Sequence, residues 1–172
     1  MTNDVKRAQE HFKKIVEEQL ARIEKMKKGE EETDYSKLKP IIIGLCWGDG
    51  IGPIISKHAQ TVLEYMLKDE VKNGKIKFKD IAGLTIENRA KHKTAIPDDV
   101  LEEIKSCHVT LKGPTTTPQK GDKWPNIESA NVAMRRYLDL FANVRPVSIP
   151  KDGIKWTFFR ENTEGAYVLG SQ

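Results

Sequence analysis

The segment from Ser129 to Pro146 carries several groups that bind anions. Ser129 supplies a hydroxyl, Asn131 an amide and Arg135 a guanidinium, and Arg145 follows near the end of the segment. We expect a helix that begins at Ser129. A helix N-terminus favours anions through its free N–H groups and its dipole, and arginine binds carboxylates through paired hydrogen bonds. These residues therefore predict a pocket for a ligand with several carboxylates.

A third arginine, Arg160, extends the same pattern. Arg135, Arg145 and Arg160 all follow or flank apolar segments that we expect to be buried. One such arginine alone would be consistent with a structural ion pair, but three together would carry a large uncompensated positive charge. We predict that they converge on an anionic ligand. Tyr167, seven residues after Arg160, supplies a hydroxyl that can act as a general acid.

Two further loops follow strand-like runs. The sequence W-G-D-G-I-G-P from Trp47 matches neither the G-x-x-x-x-G-K-[ST] phosphate loop nor the G-x-G-x-x-G dinucleotide fingerprint. A tight structural turn and a ligand loop are equally good interpretations of it. The sequence K-G-P-T-T-T-P from Lys112 offers an amine and three hydroxyl groups, the last from Thr117. Threonines between prolines often only satisfy a loop, but we expect this loop and the Ser129 segment on the same side of a sheet.

Alternating strands and helices would position these loops. The continuous apolar run 41–46 is typical of a strand buried on both faces of a parallel sheet, and a helix is predicted from the glycine turn to about Lys68. Residues 75–81 predict a strand with one wet face, a helix opens at Asp98, and 107–111 is the next strand. This alternation predicts an α/β sheet whose ligand loops lie at the carboxyl ends of the strands.

A charged helix is predicted over residues 4–28, ahead of the sheet. Lysines fill its last turn and Gly29 follows them, which is typical of a helix end. We expect this helix to have a structural role and to pack on the body of the protein or on a partner subunit. Its apolar residues recur at three- and four-residue steps and are Val5, Ala8, Phe12, Ile15, Leu20 and Ile23.

Composition narrows the class of protein. The 172 residues, 38% of them hydrophobic and 31% charged, suffice for one domain with an apolar core. Lysines alternate with acidic residues along the chain, and the net charge is only +4, so we expect no binding to nucleic acid. No apolar run reaches the roughly twenty residues of a membrane span. The N-terminus resembles no targeting peptide, because it carries Glu10, Glu17, Glu18 and Glu24. Cys46 and Cys107 lie in or beside apolar runs, which predicts reduced thiols in a cytoplasmic protein.

Five motifs in order resemble the N-terminal part of the isocitrate/isopropylmalate dehydrogenase family of β-decarboxylating dehydrogenases. They are G-D-G-I-G-P from Gly48, K-G-P-x-T-T-P from Lys112, S-x-N-x-x-x-R from Ser129, R-P at Arg145 and R-E-N-T-E-G-x-Y from Arg160. The resemblance covers about residues 40–172. It implies the isopropylmalate dehydrogenase-like fold, an α/β/α sandwich, here preceded by the charged helix. It also implies three parts: a helical extension and linker (1–38), the N-terminal part of the large α/β domain (39–141) and the start of the smaller domain (142–172).

The substrate is indicated by Ser129 and Asn131. The isocitrate enzymes of the family carry serine and asparagine at the matching places, whereas the isopropylmalate enzymes usually carry other residues there. The third carboxylate of isocitrate needs hydrogen-bond donors, while an isopropyl branch needs a dry pocket. The chain therefore resembles an isocitrate dehydrogenase, which converts isocitrate to 2-oxoglutarate by oxidative decarboxylation in the tricarboxylic acid cycle.

The resemblance also implies roles for individual residues. The three arginines would hold the carboxylates and hydroxyl of isocitrate, and Tyr167 would protonate the enolate left by carbon dioxide. A second group would add hydrogen bonds near the substrate and the nicotinamide, with Thr117 and Asn131 closest to the cofactor. The arginines are Arg135, Arg145 and Arg160, and the second group is Thr117, Ser129 and Asn131. The cofactor would be NADP or NAD, a choice that these residues leave open, together with Mg²⁺ or Mn²⁺.

The family pattern continues beyond the residues present here. In the family, the metal-binding aspartates, the lysine from a partner subunit and the adenosine loop all come later, so no metal ligand is assigned within residues 1–172. We therefore expect an N-terminal portion, inactive alone, of a homodimeric enzyme. The loop 119–126 is longer than in compact isocitrate enzymes. A non-catalytic regulatory subunit that binds carboxylates, and an isopropylmalate or homoisocitrate dehydrogenase, stay open as alternatives.

Overall fold

The structure, a computed structural model, describes residues 3–28 and 33–163. The chain forms two units, of which one includes the N-terminal helix and extends to Ser36, and the other begins at Lys37. In the first unit, helix α1 spans Asn3–Lys27 and confirms the predicted charged helix. Ion pairs one turn apart stabilise its surface, such as Lys13 with Glu17 at 3.6 Å.

The second unit is built on a three-stranded parallel sheet. Strand β1 (Ile41–Cys46) lies in the centre, with β2 (Ile76–Ile81) on one side and β3 (Val109–Lys112) on the other. Parallel neighbours need crossover connections, and helices provide them. Helices α2 (Gly52–Met66) and α3 (Lys68–Lys72) join β1 to β2, while α4 (Ile86–His92) and α5 (Asp98–Lys105) join β2 to β3. The predicted α/β alternation is confirmed.

Three details differ from the sequence prediction. The helix predicted to about Lys68 breaks at Leu67, where α3 begins a separate short helix. The strand predicted from Cys107 begins at Val109, because the Cys107 N–H donates to the Ile104 carbonyl and still closes helix α5. Helix α4 was not predicted at all.

The apolar core lies between the sheet and helices α5 and α6, the latter spanning Ala130–Tyr137. Close packing in this core explains the glycine in the middle of β1. A Cβ at Gly44 would lie 2.8 Å from the Cys107 Sγ and 2.9 Å from the Ile81 side chain. The buried core residues are Cys46, Ile81, Leu84, Ala95, Ile96, Val100, Ile104, Ala130, Ala133 and Met134.

Strands β4 (Ala142–Ile149) and β5 (Ile154–Glu161) pair as an antiparallel ribbon, joined by a 3₁₀ turn at Pro150–Asp152. The apolar run from Leu140 to Val144 predicts a segment that ends at Arg145-Pro146, which is wrong because β4 continues for three residues beyond Pro146. Both strands are edge strands, so each has a side on which proline removes no ladder hydrogen bond. The expectation that these apolar segments are buried is also wrong: Phe159 is 72% exposed. Among the described residues, no third strand extends this ribbon.

Within residues 3–28 and 33–163, no helix is both long and apolar enough to span a membrane.

Candidate functional site

The loops that follow β1 and β3 pack directly against each other. The Asp49 N–H donates to the Pro114 carbonyl oxygen at 2.7 Å. A Cβ at Gly48 would lie 2.0 Å from that oxygen, and a Cβ at Gly113 would lie 2.2 Å from the Trp47 carbonyl oxygen. These glycines are required for the close approach of two backbones. Of the two interpretations of the glycine turn, these contacts support the structural one.

The Asp49 carboxylate joins three segments of the chain. One of its oxygens accepts from the Ile86 N–H at 2.8 Å, at the start of helix α4. The other accepts from the Thr116 N–H at 2.7 Å, in the loop after β3. A charged acceptor makes both bonds stronger than neutral ones. Asp49 therefore fixes the threonine loop to the glycine turn and to α4, a role that the sequence analysis did not assign.

Arg89, on helix α4, is fully buried, with 0% of its surface exposed. Its Nε donates to the Ala95 carbonyl at 2.7 Å, Nη1 to the Thr116 carbonyl at 2.8 Å, and Nη2 to the Glu128 carbonyl at 3.0 Å. Burial lowers the pKa of this guanidinium, and the negative charge of Asp49 opposes that shift. Arg89 was missed by the sequence analysis. The available signal was its spacing of three residues from Ile86, which places both on the buried helix face.

These contacts bring two predicted site segments together. The carbonyls of Thr116 and Glu128 both accept from one guanidinium, and the residues that follow them are Thr117 and Ser129. Thr117 is exposed and Ser129 is half-buried. The threonine loop and the start of helix α6 are thus held side by side.

Helix α6 confirms the predicted helix start. Ser129 is its N-cap residue, and the hydroxyl makes no capping hydrogen bond. Asn131, in the first turn, and Arg135, in the last, are both half-buried. The next residue, Arg136, points elsewhere, because its guanidinium bonds the Glu128 carboxylate at 3.0 Å.

Lys112, at the end of β3, adds a second cation near Arg135. Its Nζ donates to the Thr115 hydroxyl at 3.2 Å. Burial lowers the pKa of Lys112, and the positive charges of Arg89 and Arg135 lower it further, against the opposing effects of Cys46 and Asp49. Lys112 therefore lies close enough to Arg89 and to Arg135 to feel the charge of each. Because Arg89 is fully buried and Asp49 offsets its charge, Lys112 and Arg135 make the positive region at the carboxyl end of the sheet.

Arg145 and Arg160 lie together on the β4–β5 ribbon. Arg160 pairs with Asn143 across the ribbon and Arg145 pairs with Phe158, so both arginines share one face. The Arg145 Nε donates to the Asn143 Oδ1 at 2.9 Å. Both arginines are exposed. Their convergence with Arg135 stays a prediction, and Tyr167 lies outside the described residues.

A cavity of about 350 Å³ opens elsewhere and includes none of the predicted site residues; its lining is His92, Thr94, Pro97, Asp98 and Asp99. In the described ranges, no group of three or more His, Cys, Asp or Glu side chains is arranged to hold a metal ion.

Comparison with known proteins relates most of the chain to one family. Residues 42–171 match the family model described as isocitrate/isopropylmalate dehydrogenase. The NADP isocitrate dehydrogenase of Caldococcus noboribetus is 36% identical over 138 residues, which cover 74% of this chain and 31% of that protein. The isocitrate/homoisocitrate dehydrogenase of Thermus thermophilus is 39% identical over 132 residues, covering 73% of this chain and 36% of that protein. The chain thus spans about a third of the length of the curated relatives it matches.

Solved structures agree with the sequence comparison. A β-decarboxylating dehydrogenase from Thermococcus kodakarensis superposes with a TM-score of 0.56 and 31% identity, over 73% of this chain and 35% of that one. Isocitrate dehydrogenase from Methylococcus capsulatus superposes with a TM-score of 0.54 and 32% identity, over 73% of this chain and 36% of that one. These similarities confirm the predicted fold class.

Proposed function

Because the chain belongs to the isocitrate/isopropylmalate dehydrogenase family, we propose that the whole protein is an isocitrate dehydrogenase. It oxidises isocitrate at C2 by hydride transfer to NAD or NADP and decarboxylates the product to 2-oxoglutarate. The names of relatives support both nucleotides, since one relative is an NADP enzyme and another is a subunit of a mitochondrial NAD enzyme.

The observation that carries the proposal is the positive region beside the start of helix α6. Arg135 is half-buried on helix α6, whose start Arg89 ties to the loop that follows Lys112, and the Ser129 hydroxyl is not used as a cap. A helix N-terminus, the Ser129 hydroxyl and the two cations Lys112 and Arg135 suit a ligand with several carboxylates. Each charged hydrogen bond to such a ligand contributes about 1.5–3 kcal/mol.

The side chains of this chain would bind and orient isocitrate. Arg135, Arg145 and Arg160 bind its carboxylates and hydroxyl. Ser129 and Asn131 donate hydrogen bonds to the carboxylate that distinguishes isocitrate from apolar analogues. Thr117, which is exposed and held beside Ser129, adds a hydroxyl between substrate and nicotinamide, with Asn131 on the same side. Tyr167 gives a proton to the enolate after carbon dioxide leaves.

When bound, NAD or NADP accepts the hydride, and Mg²⁺ or Mn²⁺ polarises the C2 carbonyl. We propose that the metal ligands and a catalytic lysine come from residues outside these 172. The described residues hold no cluster of metal-ligating side chains. On this proposal the 172 residues bind isocitrate but do not turn it over.

The organisation of the whole protein is part of the proposal. We place a domain boundary between residues 141 and 142, which the start of the ribbon at Ala142 supports. We also propose a cytoplasmic homodimer that binds neither nucleic acid nor membrane. The apolar side chains exposed on the ribbon support a partner subunit, because side chains such as Trp156, at 61% exposure, favour burial.

Titration calorimetry tests the proposal. Isocitrate should bind the protein, and Ser129→Asp should abolish binding because it sets a like charge against a substrate carboxylate. Ser148→Asp, the same change at an exposed serine of β4, is the matched control and should keep the affinity. Equal affinity of the Ser129→Asp variant and the wild type would remove Ser129 from the site.

Homoisocitrate is the second candidate substrate, because the Thermus thermophilus relative is named for both acids. Titrating isocitrate, homoisocitrate and isopropylmalate side by side ranks the three. Tightest binding of isopropylmalate would contradict the roles given to Ser129 and Asn131.

A further inference from the structure

We propose that Asp49 and Arg89 are positioning residues of the substrate site: acting as a pair, they set the register of Thr117 against Ser129. This inference rests on the proposed function. Neither residue is assigned to contact the substrate. The pair acts on the backbone, and the two held segments carry the side chains that do.

Thr116 is the point on which the pair acts. Asp49 accepts its N–H at 2.7 Å, and Arg89 donates to its carbonyl at 2.8 Å. Both polar groups of this peptide segment are thus fixed by charged side chains. Thr117 is the next residue, so its Cα position follows directly from these two bonds.

The same guanidinium fixes the second segment. Its Nη2 donates to the Glu128 carbonyl at 3.0 Å, and Ser129 follows. A guanidinium is planar and rigid, so two carbonyls bound to it have a defined separation. Arg89 therefore sets the spacing between the threonine loop and the start of helix α6, two segments that are not adjacent in the sequence.

The pair is also electrostatically linked. Arg89 is fully buried, and a buried charge needs compensation. The negative charge of Asp49 favours the charged form of this guanidinium. Loss of either residue therefore disturbs the other, and we expect their effects on substrate affinity to be coupled.

Conservative substitutions keep the volume or the charge of each side chain but change its hydrogen-bond geometry. They therefore test whether the positioning of the two segments affects substrate affinity. Asp49→Asn keeps the shape, but both of its backbone partners are N–H donors, so the new amide NH₂ faces a donor at one of them. Arg89→Lys keeps the positive charge but has a single nitrogen, which cannot hold the carbonyls of Ala95, Thr116 and Glu128 in a fixed plane. Ile104→Val, in the buried core on helix α5, destabilises the fold while leaving the Asp49 and Arg89 hydrogen bonds in place, and it serves as the matched control.

The test measures isocitrate affinity by calorimetry, melting temperature, and hydrogen exchange of the hydrogen-bonded amides of Thr116 and Ala133 in the full chain. We expect each loop variant to bind isocitrate at least tenfold more weakly and to exchange these amides faster. The Ile104→Val control, with a comparable loss of melting temperature, should keep affinity and exchange. The double variant should lose less affinity than the product of the single losses.

Folded Asp49→Asn and Arg89→Lys variants with wild-type affinity would overturn the inference, as would a control that loses as much affinity as they do. If the wild type itself binds no isocitrate, the proposed function fails instead. Hydrogen exchange then tests the structural part of the inference. Faster exchange in both variants supports the role of Asp49 and Arg89 in fixing the two segments relative to each other. Unchanged exchange overturns that role.

Discussion

Arg135 and Arg136 are neighbours in the sequence but meet different surroundings on helix α6. Arg136 bonds the Glu128 carboxylate, and its guanidinium lies 5.2 Å from the centre of the Tyr137 ring. Burial is the main cause that lowers the pKa of Lys112, and the positive charge of Arg135 adds to that shift. Arg136 is therefore engaged by the neighbouring side chains of Glu128 and Tyr137, whereas Arg135 adds to the positive region.

This difference gives a paired prediction. Arg135→Ala should weaken isocitrate binding at least tenfold, because one lost charged hydrogen bond corresponds to about 1.4 kcal/mol or more. Arg136→Ala removes the same charge one residue further on and should change the affinity little. Calorimetry on both variants checks this. Equal losses would mean that the net positive charge, and not a contact of Arg135, attracts the substrate.

The buried thiol of Cys46 makes the free energy of unfolding depend on pH in the alkaline range. Burial is the main cause that raises the pKa of this thiol from 9.0 to about 12. Below about pH 9 the thiol is protonated in both states. Between pH 9 and 12 only the unfolded chain releases the proton, so the free energy of unfolding falls as pH rises, by up to about 1.4 kcal/mol per pH unit.

Urea unfolding of the wild type and of Cys46→Ala at pH 8, 9.5 and 10.5 measures this effect. The variant lacks the thiol, so its stability should fall less steeply over the same range. Iodoacetamide at pH 8.5 should modify Cys46 only after urea is added. Parallel pH curves for the two proteins, or rapid alkylation of folded Cys46, would contradict the buried thiol.

At the scale of elements, the close contact of two loops decides what the glycines do. Gly48 and Gly50 both have positive φ angles, of +77° and +59°. Only Gly48 faces another backbone: its added Cβ would meet the Pro114 carbonyl oxygen at 2.0 Å, whereas a Cβ at Gly50 has nothing within 4 Å. Gly50 is therefore required only for the conformation of the turn, whereas Gly48 is required both for the turn and for the close packing of the two loops.

Alanine substitutions should separate these two roles. Gly50→Ala should cost about 1–2 kcal/mol, from the left-handed conformation alone. Gly48→Ala should cost about 2–5 kcal/mol, because the backbone of the neighbouring loop must also move, and should weaken isocitrate binding as well. Urea unfolding measures the first effect and calorimetry the second. Equal costs at the two positions would show that the loops separate freely.

Helix α4 shows why a short element escapes sequence analysis. It has seven residues, fewer than two full turns, so the single spacing of Ile86 and Arg89 is too short a pattern to predict a helix. Its C-cap, Lys93, adopts the left-handed conformation that usually marks a glycine, with φ of 52°. The glycine stop signal is thus absent from the sequence. With α4 unrecognised, Arg89 had no predicted place in the fold.

At the scale of the whole molecule, the buried core cluster of the described chain lies between residues 46 and 134. Helix α1 contributes none of its members. We therefore predict that a chain shortened to begin at Lys37 keeps its free energy of unfolding within about 0.5 kcal/mol. Its isocitrate affinity should also stay unchanged.

Urea unfolding followed by tryptophan fluorescence measures the shortened chain. Ile104→Ala, a cavity in the core, is the positive control and should cost about 2–5 kcal/mol in the same assay. A loss of that size on removal of residues 1–36 would mean that the helix stabilises the second unit.

The sequence by itself determined the features that depend on neighbouring residues. The run 41–46 predicted a buried parallel strand, and Ser129, Asn131 and Arg135 predicted the start of a helix with anion-binding groups. Periodicity, caps and short motifs involve residues that are close in the sequence, so they can be recognised without the structure. Five such motifs in order were enough to indicate the family that the comparisons then supported.

Only the tertiary structure decided which distant groups meet. Asp49 reaches Thr116 across 67 positions, and Arg89 reaches Glu128 across 39. The exposure of the β4–β5 ribbon was likewise not contained in its apolar pattern. Local patterns fix which face of an element is apolar, but burial and long-range hydrogen bonds depend on which other elements pack against that face, and this is set by the fold as a whole.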